Sequence, residues 1–434
     1  MTRLTLSPNV SATLALLSKL QQTWRGGIIG AVGFSLKRKI GLRLRVLLQM
    51  LPTIAEPRVC EGVVTGSASL QPAHMLRYLR HQALRLLKSF GIFDGVKNSR
   101  WRRERLLIIC YHGIALEDEH QWRPPLYMPA QLFEQRLRLL RDGEYTVLPL
   151  AEAIERLYRG ELPPRSVAIT FDDGTYDFYA QAYPRLKQYG FPATVYQTTY
   201  YCDFNYPVFH LICSYMLWKR RGQVLRTGQN AGIPEVLDLR SPAGQLATLD
   251  RLLNFAKEEG LSEEEKNNLA ARLALVLGMD YRELVRKRVL QLMRPEEISH
   301  LARAGVDFQL HTHRHRTPLN ESLFVREIRD NRRKLLEMAA NSVITHFCYP
   351  GGVYHFEFLP WLKKEGVVSA TTCESGLASP DDSALLLPRL VDTSMSTPLE
   401  FESWLSGVGP FTSRRRRSKL PMPPTQLAEI ADSR

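Results

Sequence analysis

A chain of 434 residues with 44% hydrophobic and 24% charged residues has the composition of a globular protein with room for a sizeable core, and it excludes a small disulfide-stapled scaffold. The net charge of +14 is local: residues 1–105 carry 18 Lys+Arg against 4 Asp+Glu, leaving 40 of each in the remainder. The body of the protein is therefore charge-balanced, and no nucleic-acid partner is expected of it.

Residues 1–74 show short apolar runs broken by Gly, Pro, Ser and basic residues, with no sustained period, so no domain is assigned there. The best apolar stretch, 26–36, has eleven residues before Lys37, short of the ~20 that a spanning helix needs. It starts late for a signal peptide and lacks a clear cleavage site. A cytoplasmic or membrane-peripheral location is the expectation. A well-patterned helix begins at Met75, an alternative start for the chain. Leu76, Leu79, Ala83, Leu86, Leu87 and Phe90 recur at three-to-four spacing, with Arg77, Arg80, Arg85 and Lys88 interleaved. Residues 75–104 are thus a basic amphipathic helix and linker, able to lie on a membrane surface or to pack on their own domain.

From residue 105 the pattern changes. A buried-type strand at 106–110 ends in Tyr111-His112-Gly113, and an amphipathic helix follows with Leu132, Phe133, Leu137 and Leu140. A second strand, 167–171, is closed by Asp172-Asp173-Gly174, and a helix near 176–189 stops at Gly190. Further strands are expected at 193–200, 306–310, 345–349, 367–372 and 385–390, with helices near 322–338 and 356–365. Strands alternating with helices indicate a parallel sheet or barrel, whose chemistry sits beyond the carboxyl ends of the strands. Residues 205–295 interrupt this rhythm with helical runs at 245–258 and 262–278, and form a helical insertion. The domain so defined spans 105–400, and 401–434, with Arg414–Arg417 and several prolines, is expected to be a largely disordered tail. The six cysteines show no CxxC spacing and are expected to be buried free thiols.

Two elements carry chemistry. In Thr170-Phe171-Asp172-Asp173-Gly174 the chain turns at a strand end, so both carboxylates can reach one site; adjacent carboxylates repel unless a cation or partner is shared. Alone, Asp-Asp-Gly is most often a simple turn. His311-Thr312-His313-Arg314-His315 puts three imidazoles in five residues directly after a strand. Two imidazoles and one carboxylate leave coordination positions open, as catalytic zinc sites require, although a polar loop with incidental histidines has the same composition.

Together with their flanking strands, these motifs resemble the polysaccharide deacetylases (carbohydrate esterase family four) over roughly 105–395. The resemblance implies a distorted (β/α) barrel of α/β class. It implies Asp172 as general base, and Asp173, His311 and His315 as ligands of a divalent ion, Zn2+ foremost. His313 falls at a variable position and is taken as a non-ligand, whereas Thr312 matches a loop-supporting position. Phe347-Cys348-Tyr349-Pro350-Gly351-Gly352 is similar to the family's third motif, in which a backbone amide, here that of Gly351, helps bind the oxyanion. Cys348 stands where the family has an Arg that orients the base, and Arg389 is the candidate substitute. No His follows His355 to serve as the family's usual acid. Cys110-Tyr111-His112-Gly113 is similar to the circularly permuted branch that includes poly-N-acetylglucosamine deacetylases, which assigns His112 as general acid. The implied activity is metal-dependent removal of N-acetyl groups from an amino-sugar polysaccharide or glycolipid. A catalytically inactive glycan-binding member and an O-acetyl esterase are the alternatives.

Overall fold

The structure, a computed structural model, describes residues 72–412 apart from 341. The readings made for 1–71 and for the tail beyond 412, and Cys60, lie outside these residues. In chain order the strands are β1 (Leu107–Tyr111), β2 (Gly113–Ile114), β3 (Tyr127–Met128), β4 (Thr146–Val147), β5 (Ser166–Phe171), β6 (Thr194–Gln197), β7 (Val224–Arg226), β8 (Val236–Asp238), β9 (Asp307–Leu310), β10 (His346–Cys348), β11 (Ser369–Thr371) and β12 (Leu390–Val391). Eight of them make one curled sheet in the order β11-β10-β9-β6-β5-β1-β12. The eighth, β4, pairs with the start of β5 on the edge that β6 occupies near the end of β5. Every pairing in this sheet is parallel. Leu387 forms a parallel bridge to Thr371 of β11, while β12, three residues on, pairs with β1. The stretch 384–391 thereby links the two edges and closes the barrel.

Alternation along the strands separates two cores. Leu107, Ile109 and Tyr111 of β1, with Val167, Ile169 and Phe171 of β5, face the surrounding helices. Ile108 and Ala168 face inward with Leu106, Tyr196, Cys348 and Leu387. Their register, Ile108 against Ala168 and Cys110 against Thr170, carries that inner row on to His112 and Asp172 at the carboxyl ends.

Several boundaries differ from the sequence expectation. The strand expected at 385–390 is displaced to Leu390–Val391, because Pro388 has no amide to donate and only Leu387 can ladder with the sheet edge. The helix expected at 176–189 opens as a π-turn, Phe178–Ala182, before Tyr183–Tyr189. The segment 205–295 is not wholly helical. It holds four helices, Phe209–Lys219, Pro242–Glu258, Glu263–Val276 and Tyr281–Arg286, and the antiparallel pair β7–β8, around a core of their own. Tyr127 of β3 belongs to that core.

The basic helix runs Pro72–Ser89, starting ahead of Met75, and two short helices, Ile92–Lys97 and Arg100–Arg103, follow it. Of the two readings open for it, the structure has it packed on its own domain: Leu84, Phe93 and Val96 form a small core with Val408, and Lys88 and Arg80 pair with Glu402 and Glu400. Their partners lie in the helix Pro398–Ser406, and a short helix, Gly409–Thr412, follows it, so the tail expected from 401 begins with helical residues. Thr397 caps that helix with Glu400 in a reciprocal capping box, and Phe401, Trp404 and Leu405 bury its inner face. Among the described residues no helix is long and apolar enough to cross a membrane.

Candidate active site

The acidic turn is built by two consecutive left-handed residues, Asp173 (φ 70°) and Gly174 (φ 78°). Asp172 keeps the inward parity of its strand and donates its amide to Tyr111 O at 2.9 Å, whereas Asp173 is turned out over the barrel mouth. A Cβ on Gly174 would fall 1.9 Å from the Gln197 side chain, so this position admits glycine alone. The histidine loop is bent likewise, with Thr312 (φ 62°) and His315 (φ 55°) left-handed. Thr312 Oγ1 accepts the Arg316 amide at 3.0 Å.

These turns bring one carboxylate and two imidazoles together. Asp173 Oδ1 lies 3.2 Å from His311 Nε2 and 3.2 Å from His315 Nε2. One ligand atom from each of the three residues falls within 4.8 Å of the others. His311 Nδ1 is 2.9 Å from Cys348 O, a group that can only accept, so Nδ1 carries the proton. In the neutral imidazole Nε2 then presents a lone pair toward the Asp173 oxygen, a contact that is favourable with either a proton or a metal cation between the two atoms. Two imidazoles, one carboxylate and open remaining positions are a donor set that fits a catalytic divalent ion such as zinc. His313 is turned away, its Nδ1 2.8 Å from Thr199 Oγ1.

Asp172 sits beside this set without joining it. Arg389, fully buried, donates to both of its oxygens at 2.8 Å. Burial pushes the Asp172 carboxyl up, but Arg389, with His311 and His112 assisting, holds it well below the ordinary carboxylate range. Arg389 is itself fixed by bonds to Thr372 O at 2.9 Å and Thr170 Oγ1 at 3.3 Å. The Sγ atoms of Cys110 and Cys348 are each 3.4 Å from Asp172 Oδ2. The thiol at 348 therefore occupies space beside Asp172, next to the Arg389 guanidinium. His112 Nε2 is 3.9 Å from Asp172 Oδ2. Gly351 (φ 60°) is the middle of the turn Pro350–Gly352 after β10. Gly352 seats against Cys373, whose Sγ is 3.8 Å from Arg389 Nη2.

Supports for the histidine loop escaped the sequence reading. Glu327, 1% exposed, accepts the Arg314 amide and both the Arg314 and Arg316 guanidinium groups. Asn331 accepts the His311 amide and donates to Gln197 O and Thr199 Oγ1. Both sit on the inner face of helix Glu321–Met338, four residues apart and among Phe324, Ile328 and Leu335. Polar residues on that apolar stripe were the available signal.

Residues 159–235 and 264–370 match the family model described as polysaccharide deacetylase. These two segments, less than half of the chain, are those of the polysaccharide deacetylase family. The break in the match, 236–263, falls within the insertion. YxkH of Bacillus subtilis (strain 168) is 38% identical over 93 residues, 21% of this chain and 31% of that protein. A poly-beta-1,6-N-acetyl-D-glucosamine N-deacetylase of Staphylococcus aureus (strain MSSA476) is 40% identical over 62 residues, 14% of this chain and 21% of that protein. The chain thus spans a third or less of the length of these curated relatives. Among solved structures, the Streptococcus pyogenes deacetylase PplD in complex with acetate aligns at TM-score 0.45 and 20% identity, covering 70% of this chain and 98% of that one. The matched segments contain the acidic turn and the histidine loop, while β1 with His112 and the segment bearing Arg389 lie outside them.

Proposed function

We propose that this protein is a metal-dependent hydrolase that removes N-acetyl groups from an amino-sugar polysaccharide or glycoconjugate. The observation that carries the reading is the approach of two imidazole nitrogens to one Asp173 oxygen at 3.2 Å, with His311 already committed to Cys348 O through its other nitrogen. A shared divalent cation would satisfy all three groups at once. Asp173, His311 and His315 would hold it, and a divalent ion there supplies Lewis-acid polarisation of an acetyl carbonyl and of water.

The remaining residues divide the proton work. Asp172, kept ionised and aimed by Arg389, takes the proton of the attacking water. Oδ2 faces Arg389 and both thiols, whereas Oδ1, bonded to Arg389 Nη1, keeps a further lone pair for that purpose. The Gly351 amide donates to the acetyl oxygen as it gains charge. His112, across from Asp172, returns a proton to the departing amine, so acetate and a free amino sugar leave. The buried Arg389–Asp172 pair favours catalysis over glycan binding alone, since a binding module gains nothing from an oriented base. The S. aureus relative's named substrate supports a poly-N-acetylglucosamine-type polymer.

Acetate release from N-acetylglucosamine oligomers, measured with and without chelator, tests this. Activity should vanish with chelator and return with zinc. Asp172→Asn should be inactive while still binding metal. Chelator-insensitive release, or a fully active Asp172→Asn, would refute the reading.

A further inference from the structure

The buried carboxylate of Asp177 lies four residues past the proposed ligand Asp173 and takes no part in the scheme above. It is 5% exposed, and its Oδ1 accepts the Ile114 amide at 2.8 Å. Ile114 is two residues beyond His112, in the short strand β2. The intervening Gly113 is held from the other side: a Cβ there would lie 2.3 Å from the Tyr127 ring, and the Gly113 amide donates to Leu126 O at 3.1 Å. Tyr127, 5% exposed, is anchored in the core of the insertion, beside Trp122. The turn that carries the imidazole is therefore gripped twice. One grip comes from the element that bears both active-site carboxylates, the other from β3, whose Tyr127 packs into the core of the insertion.

The two grips fall on backbone, which is where a side chain's aim is set. His112 ends a strand, and its imidazole is 17% exposed at the barrel mouth. With Gly113 unclamped, rotation about that residue would swing the ring away from Asp172. The loop after the acidic turn is tied down in its turn by the end of the insertion. The Tyr176 amide donates to Gln291 O at 2.8 Å, and the Met293 amide to Gly174 O at 3.0 Å. Asp177 is thus held in place from the same segment that shapes the insertion's return.

We propose that Asp177, through the Ile114 amide, and Tyr127, through Gly113, are positioning residues that aim His112 at the departing amine. This rests on the reading of His112 as general acid. It adds a mechanical link between the insertion and the proton donor that the ligand geometry does not require. A carboxamide can accept the same amide hydrogen bond, so the role needs an acceptor oxygen rather than a charge.

The experiment compares Asp177→Ala, Asp177→Asn, Tyr127→Leu, His112→Ala and the double variant Asp177→Ala/His112→Ala, each loaded with zinc and checked for metal content. Two substrates are used: an N-acetylglucosamine oligomer, whose amine must be protonated to leave, and 4-nitrophenyl acetate, whose phenolate leaves without a proton. Asp177→Ala and Tyr127→Leu should lower kcat on the amide by about 10- to 100-fold, with KM and the rate on the ester little changed. Asp177→Asn should recover amide kcat to within about threefold of wild type, because the acceptor is restored. The double variant should be no slower on the amide than His112→Ala. Equal losses on both substrates, failure of Asp177→Asn to rescue, or full additivity in the double variant would overturn the positioning role. A His112→Ala enzyme that keeps its amide activity would instead overturn the assignment of the acid, a result separable from the others.

Discussion

Replacing Arg389 with methionine isolates the interaction on which the proposed base depends. The guanidinium is fully buried, and its two 2.8 Å bonds reach both oxygens of a carboxylate that is itself 2% exposed. Methionine keeps the apolar stem of the side chain and removes the guanidinium with its charge. Deleting one partner of a buried pair costs about 3–5 kcal/mol, because the other charge is left uncompensated in a low-dielectric site. The pH dependence carries a sign that distinguishes this from a packing defect. In the wild type Asp172 lies below its unfolded value. Its contribution is complete above about pH 4 and is lost only as pH falls through the depressed folded value. Without Arg389, only His311 and His112 oppose burial, and the carboxyl is expected to rise above its unfolded value. The folded variant then retains a proton that the unfolded chain releases, and stability falls as pH rises from about 4. Urea unfolding in the presence of chelator should show a deficit that is larger at about pH 7.5 than at about pH 4.5. The acid limb of kcat/KM for the zinc enzyme should move upward. A loss below about 1 kcal/mol at both pH values, with an unmoved acid limb, would refute the pairing as the control of the base.

Three further outcomes follow from the same geometry. Glu327→Ala, which frees the histidine loop, should weaken zinc affinity by about 10- to 100-fold, while His313→Ala, whose imidazole faces Thr199, should leave it within about twofold; titration against a zinc indicator separates them. Cys348→Arg in the Arg389→Met background should recover part of the lost stability and activity, since the Cys348 side chain already lies against Asp172 and the shortened 389 side chain vacates space; no recovery in urea midpoint would count against that register. Burial pushes Asp177 up to about 7. The folded state thus holds a proton between the unfolded value and that point, and wild-type stability should decline as pH rises from about 4 to 7, by up to about 4 kcal/mol. Asp177→Asn should flatten this decline in a pH series of urea midpoints, and an unchanged slope would refute the assignment.

The sequence by itself determined a good deal, because its signals were short-range. Strand periodicity with closing turn residues located β1, β5, β6, β9, β10 and β11 to within a few residues. The spacing Asp172-Asp173 and His311-x-x-x-His315 marked the groups that converge. These are decisions made by neighbours in the chain: a turn after a strand, or imidazoles on one loop. The helix 398–406 was equally readable from Phe401, Trp404 and Leu405, but the composition beyond residue 410 drew the tail boundary too early. What the tertiary structure alone decided is pairing between distant segments. Arg389 could be named as a candidate, yet only closure of the sheet across Leu387 and β12 brings it onto Asp172, more than two hundred residues away in sequence. The thiols of Cys110 and Cys348 around Asp172, the Glu327 and Asn331 supports of the histidine loop, and the Asp177 and Tyr127 grips on the His112 turn are of the same kind. Burial and register create these contacts. A periodicity shows which face of an element turns inward, but not what it meets there.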